Sequence, residues 1–310
     1  MENSGIIEWL LQGDVSIQFQ TYRDLLCQNR PDLQNRIATE GWGAEFLSKQ
    51  RKDGHWGLKF YQPKWTSTHY TLLNLKNLAI TPTHPQIHAT VTMLLDEEIG
   101  IDGGINPAGT IKYSDVCLNG MFLNYAAYFG ADEEKLKSVI DYIILQQLPD
   151  GGFNCTFNRS GARHSSLHST LSVLEGINEY KRARHSYRIN ELDAIEQQSR
   201  EFILLHQLFK SDRTGNIIRK DFLKLTYPAH WYYDILRALD YFQYSNAGWD
   251  ESMQPAVYEI LKKQTRNGTW KLQAKHPGQE HFAMEKAGEP SRWNTLRALR
   301  VIKKYNGSYI

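Results

Sequence analysis

The feature that most constrains the fold of this chain is a turn motif that recurs along it. The fragments QRKDGHWG, QLPDGGFNC and QTRNGTWKL begin at Gln50, Gln147 and Gln264 and share the pattern Gln-x-x-x-Gly-x-Trp/Phe. Weaker forms of the turn occur in GIDGGIN at 100–106 and in HQLFKSDRTG at 206–215. A turn that returns about every 50 residues predicts a fold built from copies of one supersecondary element.

Each turn is predicted to join two helices. An amphipathic segment precedes it, as in DEEKLKSVIDYIILQQ, whose acidic first turn suits the helix dipole. A segment that is apolar on almost every face follows it, as in SDVCLNGMFLNYAAYF, and this is the pattern of a buried helix. Strand signals are scarce. The sequence therefore predicts one all-α domain over residues 1–310, in which helices in 1–40 lead into five helical hairpins over about 42–305.

The residues of the turn motif are predicted to hold the fold rather than to carry chemistry. Glycine and Asp allow a tight turn, and the aromatic residue packs back over the hairpin. The Gln amide can bond carbonyls that are left free at a helix end. When the second helices are aligned on their leucines, one residue from each falls in a common column. These residues are His69, Cys117, His168, Tyr233 and Trp293.

These turns resemble the QW motifs of squalene–hopene and oxidosqualene cyclases, and QLPDGGFNC is similar to the Gly-Gly-Phe turns of protein prenyltransferase β subunits. The resemblance covers about residues 42–305 and is greatest to short bacterial squalene cyclase-like or prenyltransferase-like proteins. It implies an α/α toroid, with an inner ring of parallel helices inside an outer ring and a central apolar cavity. It also implies that the chain handles an isoprenoid or another long apolar molecule.

The cyclase side of this resemblance lacks its acid. Class II terpene cyclases protonate an alkene or epoxide with an Asp of an Asp-x-Asp-Asp motif, and this chain has none. The acidic stretch LLDEEIGID has the wrong spacing, and the Asp-Asp-x-x-Asp motif of ionisation-type synthases is absent as well. Full-length cyclases also carry a second barrel domain, for which 310 residues are too few. An ordinary class II mechanism is therefore disfavoured.

The prenyltransferase side implies a metal site. In that family Asp-x-Cys at the start of an inner helix and a His from a later helix hold one zinc ion. The matching residues here are Asp115, Cys117 and His168, and the leucine alignment independently puts Cys117 level with His168. One carboxylate, one thiolate and one imidazole leave the fourth zinc position open, as in catalytic sites. Lys112 matches a family lysine that contacts diphosphate.

Other features weaken the zinc hypothesis. Gly109 stands where the family has an arginine, and Leu118 where it has a tyrosine. The α subunit that holds the peptide in that family is not part of this chain. A simpler interpretation is that Ser114 or Asp115 caps a helix, Cys117 is a buried thiol and His168 forms a hydrogen bond with a loop. Cys155 is an alternative thiolate if Cys117 is not the ligand.

Several more residues are predicted to bind substrate near the starts of the second helices. Helix N-termini and cationic side chains suit a diphosphate or a carboxylate, and aromatic faces can stabilise carbocations. The same side chains would also serve as caps and as core filling. The candidates are His69, Lys112, His164, His230, Trp231, Tyr233, Arg292 and Trp293.

Composition limits the other classes of function. The chain has 36 basic and 34 acidic residues and no basic block, so no nucleic-acid partner is predicted. Three cysteines are too few for a secreted disulfide scaffold and favour a reducing, cytoplasmic location. The start, MENSGIIEWLLQGD, does not have the pattern of a signal peptide. No stretch reaches the ~20 apolar residues of a spanning helix, which leaves peripheral membrane contact and a protein partner open.

Two hypotheses on function follow. In the first, the chain is a zinc-dependent, prenyltransferase-like or cyclase-like transferase or isomerase that acts on an isoprenoid or lipid. In the second, it is a non-catalytic toroid that binds an apolar ligand or a partner. A polysaccharide lyase or hydrolase is less favoured because the helix starts are aromatic and rich in His rather than acidic. The aromatic content of 12% fits an aromatic-lined cavity or simply an aromatic core.

Overall fold

Helices follow one another along the chain in the computed structural model, which describes residues 4–108, 111–156 and 160–305. The α-helices are α1 (Ser4–Leu11), α2 (Val15–Gln20), α3 (Pro31–Arg36), α4 (Gly41–Ser48), α5 (Thr68–Asn77), α6 (Pro85–Glu97), α7 (Val116–Tyr128), α8 (Glu133–Leu145), α9 (Leu167–Arg182), α10 (Ile189–Leu205), α11 (Ile235–Tyr244), α12 (Gln254–Lys262) and α13 (Arg292–Tyr305). A π-helix (Thr21–Leu25) and 3-10 turns at Lys64–Thr66, Lys220–Leu223 and Glu251–Met253 lie between them. The short strands β1 (Trp270–Lys271) and β2 (Pro290–Ser291) pair antiparallel. The all-α prediction is confirmed.

The chain divides into two compact units. The central unit consists of Gln50–Lys76 and Pro82–Ile203, and the terminal unit consists of Met1–Lys49, Asn77–Thr81 and Leu204–Ile310. The single domain expected over residues 1–310 stays a prediction. Within the described ranges, none of the helices combines the length and the apolar character needed to cross a membrane.

The Gln of each complete turn motif makes the same hydrogen bond. The Nε2 atoms of Gln50, Gln147 and Gln264 donate to the carbonyl of the glycine four residues later, at 2.8, 3.0 and 3.2 Å. The sequence had suggested that the accepting carbonyl lies at a helix end. It belongs instead to the turn itself. Each Gln therefore closes its own turn, and the predicted structural role of the motif is confirmed.

The aromatic residue of each motif ties the turn to the following helix. The side chains of Trp56, Phe153 and Trp270 are fully buried. Their backbone N–H groups donate to a threonine hydroxyl on that helix: Trp56 to Thr68, Phe153 to Thr170 and Trp270 to Thr295, each at 3.0 Å. In the weaker 100–106 turn, the N–H of Ile105 donates to Oδ1 of Asn119 at 2.7 Å. One hydrogen-bond pattern thus recurs at four hairpins.

This pattern gives a structural alignment of the second helices. Cys117, His168 and Trp293 each lie two residues before the side chain that accepts the bond. His69 instead lies one residue after Thr68 and is therefore displaced by about one helical turn. The leucine alignment had put all of them in one column.

Helices α7 and α9 of the central unit pack side by side in the same direction. A Cβ atom built on Gly120 would lie 2.6 Å from the carbonyl oxygen of Ser172, and one built on Gly176, a turn later, would collide with the carbonyl oxygen of Gly120 and approach Leu123. Positions later in α7 therefore contact positions later in α9, so the two helices are parallel. The absence of side chains at both glycines lets the two backbones approach this closely.

Helix α8 connects this pair and runs against α7. The hydroxyl of Tyr142, near the end of α8, donates to the carbonyl of Ser114, which lies just before α7 begins. Almost every residue of α7 is buried, whereas α8 buries one stripe that includes Leu136, Val139 and Ile143. The prediction of an amphipathic first helix and a buried second helix is confirmed here.

The terminal unit repeats the parallel arrangement. Nε of Arg297 on α13 lies 3.2 Å from a carboxylate oxygen of Asp240 on α11. Toward the ends of the same helices, Lys304 donates to the side chain of Asn246. Because both contacts advance in the same order along the two helices, α11 and α13 are parallel neighbours.

We expect Gly120→Ala and Gly176→Ala each to lower the free energy of unfolding by about 1–3 kcal/mol, because the new methyl group must push α7 and α9 apart. Urea denaturation followed by circular dichroism measures the effect. The matched control is Gly5→Ala in α1, where an added Cβ has no atom within 4 Å. That change should be neutral or stabilising by up to ~1 kcal/mol. Equal stability of all three variants would show that the close packing is not required.

Candidate functional site

The residues predicted to bind metal lie at the N-terminal ends of α7 and α9. Asp115 is the N-cap residue of α7, Cys117 is the second residue of that helix, and His168 is the second residue of α9. All three are partly exposed. Because α7 and α9 are parallel neighbours, these first turns share one end of the helix pair.

Cys117 has a covalent partner that sequence reasoning did not foresee. Its sulfur is bonded to that of Cys155, with the two Cα atoms 6.0 Å apart. The Sγ atom of Cys155 also accepts hydrogen bonds from the backbone N–H of Cys117 at 3.2 Å and from Oγ of Ser169 at 3.3 Å. Cys155 was predicted only as an alternative thiolate. A separation of 38 residues between the two cysteines carries no signal of their pairing.

The disulfide limits what the predicted metal ligands can do. In this form Cys117 offers no thiolate, so the set of Asp115, Cys117 and His168 lacks one of its three donors. Among the residues that the structure describes, no group of three or more His, Cys, Asp and Glu side chains is arranged to hold a metal ion. The donor chemistry fits zinc only when the disulfide is reduced, and zinc stays a prediction.

The two polar candidates near these helix starts are exposed. Nζ of Lys112 lies 5.1 Å from the ring centroid of Tyr113, its neighbour in sequence. His164 presents its ring to solvent, and its carbonyl accepts a hydrogen bond from Nδ2 of Asn154 at 2.7 Å. Gly109, the departure from the family arginine, lies outside the described residues. Both candidates thus sit at the same end of the helices as Cys117 and are accessible to a ligand.

His69 is enclosed by aromatic rings inside the central unit. Its side chain has no solvent exposure, and Nδ1 lies 3.2 Å from the hydroxyl of Tyr125. The rings of Phe60, Tyr61, Tyr70 and Tyr125 surround it at centroid distances of 4.7 to 5.6 Å. Burial lowers the pKa of His69 to about 3. The imidazole is therefore neutral at physiological pH and does not provide a cation for a diphosphate.

Trp293 is the middle ring of an aromatic stack in the terminal unit. Its ring centroid lies 4.7 Å from that of Tyr227 and 6.1 Å from that of Trp42, with an interplanar angle of 24° in both pairs. Among the described residues, neither the indole N–H of Trp293 nor the hydroxyl of Tyr227 has a hydrogen-bond partner. Next to this stack in sequence, the Arg292 guanidinium lies 4.5 Å from the ring centroid of Trp9. Tyr227 and Trp42 had no motif that would have singled them out.

A second aromatic stack precedes α11. The ring of Trp231 stacks on Tyr232 at 3.9 Å, and Tyr232 stacks on His276 at 3.7 Å. Burial lowers the pKa of His276 to about 4, so this ring is neutral as well. His230 is buried, and its ring centroid is 6.3 Å from that of His276. Of the three histidines predicted to face an anion, His69 and His230 therefore lie in aromatic surroundings, whereas His164 is exposed.

Tyr233 lies outside the helix in which the sequence had placed it. Asp234 caps α11 by accepting a hydrogen bond from the N–H of Arg237 at 2.8 Å, so the helix begins at Ile235. The hydroxyl of Tyr233 donates to the carbonyl of Leu208 at 2.6 Å, and the ring is buried. Tyr233 is therefore a structural residue of the terminal unit rather than a residue of the helix face.

Two buried carboxyl groups at helix starts were missed from the sequence. Burial raises the pKa of Asp234, which the nearby charge of Arg297 partly opposes. Burial also raises the pKa of Glu285, although its carboxylate accepts hydrogen bonds from Ser291 and from the N–H of Arg292. Both groups occupy the anionic position at the N-terminus of a helix, α11 and α13 respectively. Asp234 does have a sequence signal, because it directly precedes an apolar run.

No known protein-family model matches the chain, and no curated protein is similar enough to match it. Any function assigned to the chain therefore depends on its own residues and their geometry.

The buried, neutral His69 predicts a pH dependence of stability. Its pKa in the folded chain lies below the ordinary value of 6.5, so below pH 6.5 the unfolded chain binds a proton that the folded chain does not. The free energy of unfolding should therefore fall as the pH falls, with His69 accounting for roughly 2 kcal/mol between pH 7 and pH 5.

Urea denaturation at these two pH values tests this expectation. His69→Gln cannot titrate and should show a correspondingly smaller loss of stability on acidification. His164→Gln removes an exposed imidazole and serves as the matched control for the substitution itself. A His69→Gln variant that loses as much stability as the wild type would contradict the assignment.

Proposed function

We propose that the chain is an isoprenoid- or lipid-handling protein with an α/α-toroid fold. The observation that carries the fold is the parallel packing of successive second helices, α7 beside α9 in the central unit and α11 beside α13 in the terminal unit. Helical hairpins whose second helices pack in parallel are the building unit of helical repeat folds. The turns similar to QW motifs favour the toroid among such folds.

The apolar ligand is supported by the side chains near the starts of these helices. Trp293 is stacked between two further rings at the start of α13, and Trp231 heads the stack that precedes α11. Aromatic faces bind long unsaturated chains well, and exposed helix N-termini suit a diphosphate or carboxylate head group. Lys112 and His164 are exposed polar groups at such an end. We also expect a cytoplasmic protein with no nucleic-acid partner, for which peripheral membrane contact would be the route to an apolar substrate.

A zinc-dependent, prenyltransferase-like or cyclase-like activity is the second candidate. It is favoured by the position of Cys117 and His168 in the first turns of two adjoining parallel helices. Asp115, Cys117 and His168 would hold the metal once Cys117 is released from Cys155. Zinc bound there would supply a Lewis acid or a site for a thiolate nucleophile. A non-catalytic binder needs no metal, so it is compatible with the Cys117–Cys155 disulfide as well as with the reduced thiols.

Titration with farnesol and farnesyl diphosphate, followed by intrinsic tryptophan fluorescence, tests the apolar ligand. The wild-type chain should bind both, and Trp293→Leu should bind about 10-fold more weakly or worse because it removes the central ring of the stack. Trp249→Leu is the matched control, since that indole donates to Glu251 on an exposed segment. Circular dichroism confirms that each variant is folded. The proposal fails if neither compound binds the wild type, or if Trp293→Leu and Trp249→Leu bind alike.

Elemental mass spectrometry of chains purified with reductant and without chelator tests the metal. We expect about one zinc per chain in the wild type and in Cys155→Ala, and none in the double variant Cys117→Ala with His168→Ala. Cys155→Ala is informative because Cys117 then has no partner for a disulfide. If Cys155→Ala carries no zinc after zinc is added, the three-ligand site is excluded and the non-catalytic binder remains.

A further inference from the structure

The two sulfurs of the Cys117–Cys155 disulfide have different surroundings. Sγ of Cys155 accepts hydrogen bonds from the N–H of Cys117 and from the hydroxyl of Ser169. The first of these donors belongs to the initial turn of α7, where the N–H groups have no partner within the helix. Hydrogen-bond donors and the helix dipole both stabilise a negative charge at this position. If the disulfide opens, Cys155 is therefore the sulfur better placed to leave as a thiolate.

The loop that carries Cys155 is held in place independently of the disulfide. The backbone N–H of Cys155 donates to Oγ of Ser169 at 3.1 Å, and the adjacent Asn154 donates to the carbonyl of His164 at 2.7 Å. After reduction the two thiols therefore remain neighbours. The separation of 6.0 Å between the Cα atoms of Cys117 and Cys155 lies within the range of protein disulfides. The same frame can thus hold the pair in its reduced and oxidised forms.

Both cysteines are also accessible. Cys117 and Cys155 are partly exposed at the N-terminal end of α7, whereas the residues that follow Cys117 in that helix are buried. An inert structural disulfide is usually shielded from thiols, whereas an exposed disulfide is more easily reduced. The position at an exposed helix end allows an external thiolate to reach the sulfur of Cys117.

We propose that Cys117 and Cys155 form a redox-active centre, which low-molecular-weight thiols reduce and the corresponding disulfides re-form. This inference rests on the cysteines and their hydrogen bonds and does not depend on the proposed function. Its substrates are monothiols of the glutathione type and their disulfides. Reduction also frees the Cys117 thiol beside Asp115, so the redox state decides whether that end of α7 offers a sulfur that can become a ligand or nucleophile.

The reaction is an ordinary thiol–disulfide exchange. An external thiolate attacks Sγ of Cys117, a new S–S bond forms, and the old bond breaks with its electron pair going to Cys155. The Cys155 thiolate is stabilised by the N–H of Cys117 and the hydroxyl of Ser169. A second external thiolate then attacks the outer sulfur and releases Cys117, which takes a proton. In total, two external thiols are oxidised to one disulfide, and the protein disulfide is reduced to the Cys117 thiol and the Cys155 thiolate, with the second proton passing to water.

A count of reactive thiols tests the centre in the native, full-length chain. All variants carry Cys27→Ser, because Cys27 is exposed and would react in either state. After glutathione disulfide we expect no thiol to react with a chromogenic disulfide reagent, and after reduced glutathione and its removal we expect two per chain. Repeating the cycle should restore each value. Two reactive thiols after glutathione disulfide, or none after reduced glutathione without denaturant, would overturn the proposal.

Discussion

The contact between α7 and α9 is the constraint on which the central unit depends. Gly120 and Gly176 leave no side chain between the two backbones, so the helices meet as parallel neighbours. A parallel pair brings two helix N-termini to one end. The N–H groups that have no partner inside the helix, and the two helix dipoles, both favour negative charge at that end. This is why Cys117 shares a small region with His168 and Ser169, from which it is distant in the sequence. The arrangement of these side chains is thus a consequence of helix packing rather than of any local motif.

The turn motif makes that packing reproducible along the chain. Each Gln closes its own turn by a hydrogen bond to a glycine carbonyl. The backbone N–H of each buried aromatic residue donates a hydrogen bond to a threonine hydroxyl on the next helix. The register between the turn and the second helix is therefore fixed by a single hydrogen bond. These features were predictable because they are short-range: a tight turn needs glycine, and an amphipathic or buried helix shows its faces in the sequence.

The parts that could not be predicted depend on contacts between distant residues or on small shifts of register. The bond from Cys117 to Cys155 has no pattern in the sequence, and three cysteines allow several pairings. Tyr233 falls outside α11 because Asp234 is the N-cap residue of that helix. The spacing of the leucines does not show where the cap lies. The neutral state of His69 follows from complete burial among aromatic rings. Histidine alone does not tell whether it will be a buried base or an exposed ligand.

The central claim is that the chain holds an apolar molecule of the isoprenoid or lipid class. Two measurements on chain purified without detergent test this. Native mass spectrometry gives the mass of the chain with any bound molecule, and solvent extraction of a second sample releases that molecule for identification. We expect a species heavier than the 35.9 kDa chain and an extracted compound with a long hydrocarbon chain. If the chain is found only at its own mass and takes up no isoprenoid or lipid added in excess, it does not bind a molecule of this class.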